Sequence, residues 1–156
     1  MKLYLDTCAL NRLTDDQTQP RINAEAKAVE RVLDLMSSGE VRWISSSVVR
    51  TEMQRNPNQA KREVSIALLA IASEFVEPNE SAYRRASLLV AEGYGTFDAL
   101  HLALAEAAGA DALLTVDDRL ISRANRTRAN VLPSVLNPVD WLDRRVKWLP
   151  PPQSTK

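Results

Sequence analysis

The sequence predicts an α/β fold, a three-layer α/β/α sandwich around a central, mainly parallel sheet. Three observations carry that expectation. Short apolar segments at Lys2–Leu5, Val41–Ile44 and Leu113–Thr115 have strand length, and helical patterns rather than hairpin turns follow them. The intervening segments repeat apolar residues at three- and four-residue steps, the signature of helices with one buried face. A length of 156 residues, 45% hydrophobic and 26% charged, suits one globular domain with a real core and is too short for two ordinary ones.

Lys2 to Leu5 puts Leu3 and Leu5 on one face of the first strand and Tyr4 on the other. It ends in Asp6-Thr7, where an aspartate ordinarily caps a helix or makes an Asx-turn. Asp15 to Pro20 reads as a polar loop with a solvated acidic pair. Ile22, Ala26, Val29, Leu33 and Met36 then mark a helix to Ser37, stopped by Gly39. After the strand Val41–Ile44, Ser45-Ser46-Ser47 offers cap hydroxyls for a helix to about Asn56, before Pro57. On it Glu52 leans toward the side of Val48 and Val49, where a carboxylate is costly unless compensated. The plainer reading is a surface Glu52 paired with Arg55.

Gln59 to Ala72 is helical, with Val64, Leu68 and Ile71 sharing a face. Phe75-Val76 is a short strand or a mere connection. Asn79 caps a helix through Glu92, broken by Gly93 and Gly95. Thr96 is the expected cap of the next helix, with Phe97, Leu100, Leu104 and Ala108 as its buried stripe. Asp98 falls in its first turn, where the helix dipole favours a carboxylate. His101, one turn on, faces roughly the same way, as a bystander, a contact behind the site or a substrate contact. Gly109 ends this helix, and an apolar strand within Ala112–Val116 follows.

Asp117-Asp118 opens a helix carrying Arg119, Arg123 and Arg126. Val131 to Leu136 is the expected last strand, held to an edge or bulge by Pro133. Asn137-Pro138 starts a helical turn through Trp141-Leu142. The domain is expected to span residues 1–143, and residues 144–156 to form a loose tail.

Composition removes several function classes. Cys8 is the single cysteine and His101 the single histidine, which excludes an intramolecular disulfide, a cysteine-cluster zinc site and a multi-histidine site within the chain. A metal here would be held mainly by oxygen, which favours Mg²⁺ or Mn²⁺. The longest apolar run, Ile66 to Ala72, cannot span a bilayer, and MKLYLDT leaves no room for a signal segment, so a cytoplasmic protein without a membrane partner is expected. Net charge is zero but uneven: residues 1–118 carry 12 Lys/Arg against 18 Asp/Glu, and residues 119–147 carry 7 against 2. That basic segment is either a solvated face or a grip for phosphates.

Asp6, Glu52, Asp98 and Asp117 each have a private structural explanation. Yet all four fall at strand ends or adjoining helices, on the side where strands finish and ligands bind in open α/β sheets. Gathered without a cation they would raise one another's pKa values. A divalent ion would relieve that conflict and could activate a water and neutralise charge building on a phosphodiester. Thr115, two residues before Asp117, could orient a carboxylate or a metal-bound water.

LDTCALNRL at the N-terminus, the mid-chain SSSVVRTEM and FDALHLALAEAAGADALLTVDDRL together resemble the PIN-domain family over about residues 1–143. Four separated acids appear in that family's order, with a D-A-x-x-x-A helix start and a T-x-D strand end. The resemblance implies a Mg²⁺- or Mn²⁺-dependent endoribonuclease acting on single-stranded RNA; many free-standing members are VapC-like toxins of toxin–antitoxin pairs. Carried over by position, Asp6, Glu52, Asp98 and Asp117 match the catalytic acids, and Thr115 the family's hydroxyl. Asp118 is an alternative to Asp117. Cys8 stands where such toxins often carry Ser or Thr. Asp6, Asp98 and Asp117 are then the expected metal ligands, Glu52 the holder of a second metal or of the attacking water, and Arg119 and Arg123 the phosphate contacts. An RNA substrate, an antitoxin protein and a second copy are the implied partners. The rivals are a catalytically silent PIN-fold module that binds RNA or protein, and a receiver-like phospho-acceptor, which lacks here its paired acid and terminal lysine.

Overall fold

The computed structural model describes residues 1–127 and 133–148. Within them five short strands form one parallel sheet, built from β1 (Lys2–Leu5), β2 (Arg42–Ser46), β3 (Glu74–Val76), β4 (Ala112–Leu114) and β5 (Ser134–Leu136). The order is β3-β2-β1-β4-β5. The chain therefore walks outward from β1 to β3, crosses back, and lays β4 along the free side of β1. Such a reversal opens a crevice at the carboxyl ends of the two strands that straddle it, here β1 and β4. Leu3, Tyr4 and Leu5 pair with Ala112, Leu113 and Leu114, and the Asp6 N–H continues the ladder to the Leu114 carbonyl at 3.2 Å.

The helices are α1 (Thr7–Asn11), α2 (Pro20–Ser37), α3 (Ser47–Gln54), α4 (Gln59–Leu68), α5 (Glu80–Ala91), α6 (Thr96–Ala107), α7 (Asp118–Arg126) and α8 (Pro138–Trp148). They cover the sheet, so β1 is buried on both faces: Leu3, Tyr4 and Leu5 have no exposed surface. A parallel strand in that position reads as a continuous apolar run. Truncating either leucine to alanine costs about 2–5 kcal/mol by this burial.

Polar side chains cap the helix starts, most of them at or just past the end of a strand and Asn58 between α3 and α4. Ser46 Oγ accepts from the Val49 N–H at 3.2 Å, Asn58 Oδ1 from Lys61 at 3.0 Å and Asn79 Oδ1 from Ala82 at 2.9 Å. Asp6 and Asp117 cap α1 and α7 in the same way. Each cap contributes about 1 kcal/mol and turns the chain sharply where a strand ends.

Several elements differ from the sequence reading. β2 runs on through Ser45 and Ser46, and α2 begins at Pro20, whose fixed φ suits the first helical position. Asp15 is not simply solvated, because Arg12 holds it at 2.7 Å. α4 stops at Leu68 and tightens into a 3₁₀ turn, Leu69–Ile71; Val64 and Ile71 are exposed, and Ser65 and Leu69 face inward. Glu74–Val76 is a true edge strand. Gly95, not Thr96, is the cap residue of α6, and it offers no side-chain bond. Phe97 leaves the expected buried stripe and is 38% exposed, because the packed face is made by Ala99, Leu102, Ala103 and Ala105.

The last helix continues to Trp148, past the domain end expected at residue 143. Trp141 is buried on it, and Arg145 stacks over that ring while reaching Glu40 at 3.1 Å. Val131, Leu132, Arg128 and residues 149–156, which include most of the expected tail, lie outside the described residues.

Candidate active site

Asp6 follows the last residue of β1 and is 3% exposed. Its Oδ1 accepts from the Ala9 N–H at 2.9 Å, and the Thr115 hydroxyl bonds its carboxyl. Burial is the dominant influence on this group and pushes its pKa up to about 6. His101, Thr115 and the Ala9 N–H oppose that rise, and Asp98 adds to it. Thr115 is fully buried just past β4, and its Oγ1 also accepts from the Asp117 N–H at 3.1 Å. One hydroxyl thus ties the exits of β1 and β4 together.

Asp98 lies in the first turn of α6 and is half-buried. Partial loss of solvent raises its pKa, the carboxylates of Asp117 and Glu52 raise it further, and His101 pulls against them. Asp117 caps α7 through Oδ1, which accepts from Arg119 N–H at 2.9 Å and Leu120 N–H at 3.4 Å. Asp118 turns the other way, into a two-pronged pair with Arg21 at 2.8 and 2.9 Å, and is largely exposed. The two adjacent aspartates therefore separate: one faces Asp98, the other an external arginine.

Glu52 comes from α3. Its Oε1 accepts from the Thr7 hydroxyl at 3.1 Å and is bonded to His101 Nε2. Arg55, the surface partner expected from sequence, instead stacks over Phe97. Behind Glu52 runs a buried chain. His101 is 2% exposed, its Nδ1 meets the Tyr4 hydroxyl at 2.7 Å, and that hydroxyl meets Ser46 Oγ at 2.7 Å. Burial holds the Tyr4 phenol far above its ordinary range, so it stays protonated. The chain reaches from the cap of α3 through β1 and α6 to the Glu52 carboxylate.

Cys8, with its surface partly open to solvent, reports the field at the mouth of this site. Loss of solvent, then Asp6, Asp117, Glu52 and Asp98 in that order, push its thiol up to about 12.

Oxygen donors that raise one another's pKa suit a hard divalent cation. Among the described residues, no three His, Cys, Asp or Glu side chains approach closely enough to enclose an ion unaided. Mg²⁺ commonly takes one or two carboxylates, keeps several waters and completes its shell with substrate phosphates. The residues present fit such an ion.

The two arginines expected at phosphates sit apart from the acids' inner face. Arg119 is exposed and, with Arg12, Gln19, Arg21, Asp117 and Asp118, lines an open cleft of about 500 Å³. Arg123 lies 5.9 Å from the Tyr94 ring centroid, against the turn that leads into α6. Gly93, at φ +105°, makes that turn; an added Cβ would sit 2.5 Å from the Arg123 guanidinium.

Ser46 is the cap of α3, as its place in Ser45-Ser46-Ser47 suggested, but sequence reasoning missed its bond to Tyr4 and gave neither Tyr4 nor Thr7 a partner at the site. The one available signal was a phenol on the inward face of a central strand, which needs a buried partner. It also missed Glu25, 2% exposed on α2 and held by Arg12 at 3.1 Å, Arg21 at 3.2 Å and Asn137 at 2.5 Å. This cluster braces the helices beside the acidic crevice, and Arg21 links it to Asp118.

The family model described as PIN domain matches residues 3–126 of the chain. Sequence comparison with curated proteins finds no match. Among solved structures, VapBC-1 from nontypeable Haemophilus influenzae is 17% identical, with a TM-score of 0.59, over 88% of this chain and 98% of that one. FitAcB from Neisseria gonorrhoeae is 16% identical at a TM-score of 0.58, over 87% and 97%. VapC20 from Mycobacterium tuberculosis, a toxin that cleaves the sarcin–ricin loop, is 15% identical at 0.57, over 77% and 93%. At these identities the likeness is one of fold.

Proposed function

Because this chain belongs to the PIN-domain family, we propose that it is a Mg²⁺- or Mn²⁺-dependent endoribonuclease of the VapC kind, cleaving phosphodiester bonds of single-stranded RNA. The observation that carries the proposal is the placement of Asp6 and Asp117 at the exits of β1 and β4, tied through Thr115, with Asp98 in the first turn of α6 and Glu52 bonded to Thr7 and His101. The fold likeness to toxin structures supports it.

In this reading Asp6 and Asp98 would hold the cation directly and Asp117 would complete the site, directly or through a water; the bound ion would lower the pKa of water and screen charge on the phosphodiester. Asp6 is set by its cap to Ala9 and by Thr115, so its carboxylate keeps one direction. Glu52 orients the attacking water and takes its proton. Both hydrogen bonds to Glu52 fall on Oε1, which leaves Oε2 to accept from that water. Thr7 and His101 prevent the carboxylate from rotating away. Arg119, at the cleft beside Asp117, and Arg123 draw the strand's phosphates toward the crevice. An antitoxin protein and a second copy are the proposed partners. A cytoplasmic site of action goes with them, and no helix among the described residues is long and apolar enough to cross a membrane.

The test is direct. Purified protein is incubated with single-stranded RNA and Mn²⁺, with and without EDTA, beside Asp98→Asn. Cleavage should require the ion and Asp98; metal-independent or unchanged cleavage would refute the mechanism. Absence of any cleavage by the wild type would favour the silent binding module. Growth arrest on expression, relieved by the neighbouring upstream gene, tests the toxin role.

A further inference from the structure

We propose that Phe97 and Arg55 form a stacking platform that seats an unpaired base of the RNA beside the scissile phosphate. This rests on the nuclease reading and specifies how its substrate is held. Phe97 directly precedes Asp98 and exposes 38% of its surface at the start of a helix whose other apolar residues are mostly packed away. Arg55 closes α3 three residues after Glu52, and its guanidinium carbon lies 5.5 Å from the Phe97 ring centroid.

Glu52 would be the natural ion-pair partner for Arg55 on the same helix. Its Oε1 is taken by Thr7 and His101, and Arg55 makes no ion pair among the described residues. A cation and a π face are therefore held side by side at the rim of a strongly acidic pocket. That pocket repels a polyanion, and a positive charge at its edge offsets the repulsion for a phosphate passing over it. The ring accepts any base whose faces are free, because every base has a π face. A base inside a duplex has none to offer, so the platform also accounts for single-strand preference.

The favoured occupant is a nucleobase rather than a protein side chain, because the arginine beside the ring complements a phosphate and the neighbouring groups are the proposed catalytic acids. The platform lies on the surface, so its variants should fold normally.

The test is equilibrium binding of a short single-stranded oligoribonucleotide, followed by fluorescence anisotropy in EDTA so that cleavage does not interfere. Phe97→Ala should weaken binding about tenfold or more, and Phe97→Trp should restore it. Arg55→Ala should also weaken binding and flatten its salt dependence. An oligonucleotide series with one abasic position at a time should reveal a single position whose loss costs the wild type and costs Phe97→Ala nothing. Unchanged binding by Phe97→Ala, no RNA binding by the wild type, or an abasic series without such a position would overturn the proposal. So would a Phe97→Ala variant that binds RNA normally but no longer binds the upstream-encoded protein. Failure of the wild type to cleave RNA in Mn²⁺ would sink the nuclease reading alone and leave this readout intact.

Discussion

His101 Nε2 and Glu52 Oε1 are hydrogen-bonded across the α3–α6 contact, and the other ring nitrogen of His101 is held by Tyr4 at 2.7 Å. With both nitrogens engaged and the ring buried, the imidazole has one orientation. It transmits that orientation to Glu52.

Removing this support should cost activity more than a loss of packing would. His101→Ala is expected to lower kcat about 10- to 100-fold, the range seen when partners behind a functional carboxylate or metal ligand are deleted. It also strands the Tyr4 hydroxyl on one side, costing about 1–3 kcal/mol in urea unfolding. His101→Gln should recover part of kcat. Full activity in His101→Ala would mean that Glu52 needs no such guide.

Asp6 makes the ion-free protein less stable at neutral pH. Its carboxyl titrates near 6 when folded, against an ordinary value of 3.8. Between these values the folded chain keeps a proton that the unfolded chain has lost. Stability therefore falls as pH rises from about 4 to about 6 and stays low above, by about 3 kcal/mol at most. Asp6→Asn keeps an oxygen for the Ala9 cap. It should unfold at higher temperature at pH 7, with a flatter pH profile. Added Mg²⁺ should raise the wild-type midpoint and leave that of Asp6→Asn almost unmoved. A wild-type midpoint independent of pH between 4 and 7 would contradict this account.

The adjacent aspartates should separate in a nuclease assay. Asp117→Asn is expected to reduce cleavage at least 100-fold, and Asp118→Asn to leave it within about twofold, since its solvent-screened pair with Arg21 lies outside the crevice. Equal losses in the two variants would undo the assignment.

The Cys8 thiol should be slow to alkylate. With its pKa pushed up to about 12, little thiolate is present at pH 8, and iodoacetamide should react far more slowly than with free cysteine. Neutralising a nearby carboxylate, as in Asp6→Asn, should speed the reaction. Labelling at the rate of an ordinary thiol would show that neither partial burial nor the nearby carboxylates hold the thiol back.

Glu25 tests the brace. Glu25→Ala removes a buried carboxylate and strands the Asn137 amide, while Arg12 and Arg21 keep Asp15 and Asp118, so it should cost about 1–3 kcal/mol, measured by denaturant unfolding. A loss below 1 kcal/mol would mean that water enters the vacated space freely.

What was legible in the chain was what local chemistry decides. Asp6, Asn79 and Asp117 mark helix starts because a side chain three residues or fewer away can satisfy a free N–H, and the strands between helices follow from composition. The sheet's parallel character followed from the lack of hairpin turns. Phe97 leaves the stripe its period predicts because the face that α6 buries depends on where α3 and α5 lie, and Thr96 is no cap because the helix already begins at it. Val64 and Ile71 share a face, yet nothing covers it. His101 and Glu25 are polar residues whose burial becomes affordable only through partners distant in sequence, Tyr4 and Glu52 for one, Arg12 and Asn137 for the other. The length of α8 depended on Arg145 meeting Glu40, again a distant contact.

The pairing of β1 with β4 joins residues more than a hundred positions apart, the Asp6 N–H to the Leu114 carbonyl. During translation the first strand must wait beside the ribosome with half its ladder unfilled until the chain past Asp117 has emerged. An unfinished copy that lacks β4 therefore holds Asp6 and Glu52 but no crevice between β1 and β4, so the acids of that crevice come together only after the chain past Asp117 has been made.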